Sequence, residues 1–78
     1  MTLTLAQLQR GQKAIITDFN VDEIPLKLLE MGCLPGNEVE LLQVAPLGDP
    51  LYINVNDSHV AIRLETAKEI RIDLINEF

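Results

Sequence analysis

The chain has one cysteine, no tryptophan and only three aromatic residues, Phe19, Tyr52 and Phe78. Cys33 alone cannot close an internal disulfide, which excludes a disulfide-stapled secreted scaffold. Basic residues are also scarce: six Lys and Arg stand against twelve Asp and Glu, for a formal net charge of −6. Nucleic-acid binding draws most of its affinity from cations that neutralise phosphates. These six are scattered and form no stripe, so no nucleic-acid partner is expected. Anionic membrane surfaces are disfavoured by the same sign. No run approaches the roughly 20 apolar residues of a membrane span, and MTLTLAQLQRG lacks the charged and apolar regions of a signal peptide. A cytoplasmic protein without direct membrane insertion is the expectation. The shortage of aromatics also argues against a groove for proline-rich ligands, which such side chains normally line.

The chemistry of common sites is missing as well. The sequence holds no Cys-x-x-Cys, no His-x-x-x-His and no G-x-G-x-x-G, and neither Gly32 nor Gly36 is followed by Lys-Ser/Thr. The carboxylates are spread along the chain, without the Asp-x-Asp-x-Asp-Gly pattern of a calcium loop. Ser58 and His59 are adjacent and would point to opposite sides of a strand, which spoils a nucleophilic set. Cys33 and His59 are the remaining soft or borderline ligands, and each reads better as a structural or solvated residue. A non-enzymatic protein with no cofactor and no metal site is expected.

What is present is concentrated between Leu28 and Pro50, LLEMGCLPGNEVELLQVAPLGDP. This stretch contains three of the four glycines and three of the four prolines. Asp22 is a plausible helix N-cap and Pro25 fits the first turn. The helix runs to about Met31 and Gly32 ends it. Ile24, Leu28 and Met31 share one side of it, Leu26 and Leu29 another, with Lys27 and Glu30 between. Leu34-Pro35-Gly36-Asn37 has the chemistry of a type II turn. Glu38 to Val44 reads as a strand, and Pro46-Leu47-Gly48-Asp49-Pro50 as a rigid corner.

Around this stretch, Thr4-Leu5-Ala6-Gln7 matches a capping box, and Leu5 and Leu8 would share a face. Lys13 to Phe19 is a β-branched strand. Leu51 to Asn56 and His59 to Leu64 alternate as a hairpin about Asn56-Asp57. Thr66-Ala67-Lys68-Glu69 predicts one helical turn, and Ile70 to Ile75 a last strand with Ile70, Ile72 and Leu74 on one face. The tail 76–78 is expected to fray. About five short strands with little room for crossovers predict a single mainly-β domain over residues 1–78, a small antiparallel barrel whose closure removes edges.

Leu28-Leu29-Glu30-Met31-Gly32-Cys33-Leu34-Pro35-Gly36, followed by Val44-Ala45-Pro46-Leu47-Gly48-Asp49-Pro50, closely resembles the FeoA family of bacterial ferrous-iron uptake. Ala61-Ile62-Arg63-Leu64 and the N-terminal Leu5-x-x-Leu8-x-x-Gly11 extend the resemblance over almost the whole chain. It implies an SH3-like β-barrel with one short helix inserted after the first strand. It implies a FeoB-type membrane GTPase transporter as partner, contacted through its cytoplasmic part, and an accessory role rather than iron carriage. An alternative is direct ferrous-iron binding or sensing, since related SH3-like domains occur in iron-dependent repressors. A homo-oligomer stays open. Cys33 stands where the family usually has a larger apolar residue, and Asn56-Asp57-Ser58 replaces a glycine-bearing or basic turn.

Binding would then fall to an aliphatic patch. Leu26, Leu29, Met31, Cys33, Leu34 and Leu47 are its candidate residues, with all but Met31 singled out as at least partly exposed. Gly32, Pro35, Gly36, Gly48, Asp49 and Pro50 are the turns that shape it. A third possibility, an arginine inserted into a GTPase site, rests on Arg10, Arg63 and Arg71.

Overall fold

The computed structural model describes residues 3–75, so the expectation for the tail 76–78 lies outside the described residues. Six strands form one antiparallel sheet: β1 (Leu3–Thr4), β2 (Lys13–Phe19), β3 (Glu38–Val44), β4 (Leu51–Val55), β5 (Ser58–Ile62) and β6 (Ile70–Leu74). Their order is β1-β6-β2-β3-β4-β5. Two short helices, α1 (Leu26–Glu30) and α2 (Leu64–Ala67), and two 3-10 turns are the other elements among the described residues. The sheet wraps one aliphatic core to which every strand from β2 to β6 contributes, with Ile16, Val39, Leu41, Ile53, Ile62, Ile70 and Ile72 among its members. The fold is thus mainly β, with one strand more than the sequence suggested. The extra strand, β1, is only two residues long and pairs Leu3 with Ile72 and Thr4 with Arg71.

Most elements follow local chemistry. The Gln7 side chain accepts the Thr4 N–H at 2.8 Å, which is the reciprocal half of a capping box, and Leu5 and Leu8 are buried below it. Burial stabilises such leucines by roughly 1.5–3 kcal/mol apiece. The β4–β5 hairpin turns on Asn56 and Asp57, whose φ values of 52° and 63° are those of a type I′ turn. Leu51, Ile53 and Val55 face the core while Tyr52 faces out. Two β-bulges interrupt the alternation, at Thr17 in β2 and Leu42 in β3. The second explains why Leu41 and Leu42 stand side by side: the extra residue leaves Leu41 buried and shifts the register for Gln43 and Val44.

Several details differ from expectation. Asp22 is not a helix N-cap. Asn20 Oδ1 accepts the Asp22 N–H at 3.1 Å and caps a separate 3-10 turn, Val21–Glu23. Ile24 must be extended because it precedes Pro25, so α1 starts only after the proline. Leu64 belongs to α2 rather than to the β5 strand, and α2 begins ahead of the Thr66 capping-box pattern. Its first N–H, that of Leu64, is bound by Asp49 Oδ1 at 2.9 Å, so a distant side chain sets where it starts. Leu74, at the end of β6, is partly exposed while Ile70 and Ile72 are buried.

Candidate partner-binding surface

Helix α1 and the turn after it form one stiff unit. Gly32 adopts φ +102°, its N–H donates to Leu29 O at 3.2 Å, and the Cys33 N–H donates to Leu28 O at 3.0 Å. These two bonds make a Schellman motif, which brings the residue after the glycine onto the residue five before it. Cys33 and Leu28 are both buried. The reading of Cys33 as a small buried structural residue holds, and the expectation that it is partly exposed in the patch is wrong: it is 0% exposed and part of the core. An apolar residue directly after a helix-ending glycine was the available signal. Burial also raises the Cys33 thiol pKa above its ordinary value, because desolvation disfavours the thiolate.

The turn that follows is fixed to the sheet. The Asn37 N–H donates to Leu34 O at 3.1 Å and Gly36 has φ +94°, as a type II turn on Pro35-Gly36 requires. Gly36 N–H reaches Ile16 O at 2.7 Å, and Ile16 N–H reaches Asn37 O at 3.0 Å. The Asn37 side chain donates to Gly32 O at 2.7 Å, tying turn to helix end. Leu26 is 68% exposed and Leu34 44% exposed on this frame. Leu29 and Met31 are half-buried, and Leu29 packs against the core.

Leu47 is 95% exposed. It lies in the loop after β3, whereas Leu34 lies in the turn before β3. The strand between them has seven residues, roughly 20 Å of extended chain. In the Leu47 loop, Gly48 N–H donates to Ala45 O at 2.8 Å, and Ala45 N–H donates to Pro50 O at 3.0 Å across a cis Asp49–Pro50 bond. Of the six candidates, Leu26 and Leu34 are exposed ahead of β3 and Leu47 after it, Leu29 and Met31 are half-buried, and Cys33 lies in the core.

The arginines are partly engaged. Arg71 pairs with Asp18 at 2.8 Å, and Arg63 lies 3.9 Å from Asp49. Among the described residues no three His, Cys, Asp or Glu side chains are placed to hold a metal ion together, and no helix is long and apolar enough to cross a membrane.

The arrangement is that of a small SH3-type β module that presents aliphatic side chains on rigid turns. It belongs to the FeoA family: the FeoA domain profile matches residues 3–74. The chain is 35% identical over 75 residues to a Porphyromonas gingivalis Fe(2+) transport protein A/Fe(2+) transporter FeoB fusion protein, covering 95% of this chain but 9% of that one. The solution structure of a Chlorobium tepidum FeoA protein superposes with a TM-score of 0.87 at 27% identity, over 95% of this chain and 71% of that one. A crystal structure of Stenotrophomonas maltophilia FeoA complexed with zinc, described as a prokaryotic SH3 domain protein, gives a TM-score of 0.72 at 30% identity, over 91% and 89%. The family is one of Fe(2+) transport.

Proposed function

We propose that this chain is a cytoplasmic, non-enzymatic accessory of ferrous-iron uptake that binds the cytoplasmic part of a FeoB-type transporter through Leu26 and Leu34. The observation that carries the reading is the exposure of these two leucines on a frame whose backbone is already locked by hydrogen bonds. Side chains presented this way lose little conformational freedom on binding. The relative in which the two proteins are one polypeptide supports the choice of partner. Leu47, on the opposite end of β3, provides a second and independent contact.

The test is capture of the transporter's cytoplasmic GTPase domain by the wild-type chain and by Leu26→Asp, Leu34→Asp and Leu47→Asp, in each nucleotide state. Binding that is unchanged in all three variants, with native circular dichroism, overturns the assignment of this surface.

A further inference from the structure

We propose that the free edge of β5 pairs with β5 of a second copy of this chain, joining two sheets into one. Strand β5 hydrogen-bonds to β4 on one side and, among the described residues, ends the sheet on the other. The hairpin fixes which groups it leaves free. Val55 faces Ser58 across a two-residue turn, so Val55–Ser58, Ile53–Val60 and Leu51–Ile62 are the hydrogen-bonded pairs of the β4–β5 ladder. The N–H and C=O groups of His59 and Ala61 therefore point away from β4.

Sheet edges are usually blunted by shortness, charge, proline or a bulge. The opposite edge, β1, is two residues long. β5 is five residues, Ser58-His59-Val60-Ala61-Ile62, with no proline and no carboxylate, and its ladder with β4 is free of bulges. Beside it runs a groove of about 330 Å³ between β5 and α1, lined by Lys27, Leu28, Met31, His59, Val60 and Ala61.

Charge favours this edge over the acidic grooves as the place where a second copy can approach. Each molecule carries a net charge of −6, so two copies repel over most of their surfaces. Two other surface grooves are lined by carboxylates, one by Glu38, Glu40 and Asp57 and another by Glu23, Glu65 and Glu69. The β5 groove has none, and its one charged residue is a lysine. An antiparallel two-fold placed at Val60 sets His59 of one copy opposite Ala61 of the other, and each such pair exchanges both backbone bonds. The same operation presents Val60 of each copy to the apolar floor that Leu28 and Met31 of the other provide. The interface is short, so the dimer is weak and depends on concentration. Screening of the net charge by salt favours it.

Sedimentation of the full chain over a concentration series tests this, together with Ala61→Pro. Proline at an edge position whose N–H faces away from the sheet leaves the β4–β5 ladder intact. The expected result is a monomer–dimer equilibrium that strengthens with salt and is lost in Ala61→Pro, with unchanged circular dichroism. Amide exchange by NMR reads the same edge without a substitution. The His59 and Ala61 amides should exchange more slowly as concentration rises, which decides the matter if the proline variant unfolds. A wild-type chain that stays monomeric throughout overturns the proposal. So does a dimer in which these two amides exchange as fast as in dilute solution. Protection that appears only when the transporter's cytoplasmic domain is added assigns the edge to a foreign strand and likewise overturns self-pairing.

Discussion

Asp49 accepts the backbone N–H of Leu64 at 2.9 Å through Oδ1, across fifteen residues of chain. The same carboxylate faces the Arg63 guanidinium at 3.9 Å. A helix of four residues has too few internal bonds to persist alone, so an N-terminal acceptor from another loop largely decides that α2 forms. Asp49→Ala is expected to cost about 1–2 kcal/mol, the range for loss of a capping side chain. Asp49→Asn keeps the acceptor and loses only the exposed ion pair, which is worth about 0.2–1 kcal/mol. Urea midpoints at unchanged slope measure both. Equal losses in the two variants would mean that charge rather than capping matters at this position.

Gly32 is constrained twice. Its φ of +102° disfavours any side chain, and a Cβ there would stand 2.9 Å from Cβ of Asn56 in the β4–β5 turn. Gly36, at φ +94°, has open space around the same position. Gly36→Ala should therefore cost only the backbone term, about 1–2 kcal/mol, and Gly32→Ala should cost more. Replacing Asn56 by Gly in the Gly32→Ala background should recover the steric part and leave the backbone part. A double-mutant cycle with no coupling between positions 32 and 56 would contradict the close approach.

The local half of this fold was legible in the chain. The bounds of β2 and β3, the Pro35-Gly36 turn and the Asn56-Asp57 hairpin all follow from patterns a few residues long. The errors arise where a distant or subsequent residue decides. Pro25 splits what reads as one helix start, so Asn20 rather than Asp22 is the cap. Asp49 moves the start of α2 ahead of Thr66. β1 is too short to carry any periodicity and exists through its pairing with β6. The exposure of Leu26, Leu34 and Leu47 matches expectation, whereas that of Cys33 does not. The burial of Cys33 could have been anticipated from the Schellman geometry that Gly32 imposes.

Cys33 makes the core sensitive to alkaline pH. Burial raises its thiol pKa in the folded chain above the unfolded value. Above the unfolded pKa the unfolded chain binds fewer protons than the native one, so stability falls as pH rises through that window and is unaffected below it. Cys33→Ala should flatten the alkaline limb of the stability profile at a cost of about 1 kcal/mol at neutral pH, the order expected for a small core deletion. A thiol reagent should label native protein slowly and urea-unfolded protein quickly. Rapid labelling under native conditions would contradict the burial of this residue.

The binding surface is best separated from the core by comparing neighbours on one helix. Leu26 is 68% exposed, whereas Leu29 is half-buried against the core. Leu26→Asp should leave the urea midpoint within about 0.5 kcal/mol of wild type, as for surface substitutions elsewhere. It should weaken capture of the transporter's GTPase domain at least about tenfold, or 1.4 kcal/mol. Leu29→Asp should instead lower stability by about 2 kcal/mol or more by placing an unpaired charge against apolar side chains, so lost binding in that variant says nothing about contact. Leu47→Asp should also spare stability, since the side chain is 95% exposed. If both leucines touch the partner independently, the losses from Leu26→Asp and Leu47→Asp should add. Loss from Leu26→Asp alone would restrict the contact to α1 and the turn that follows it.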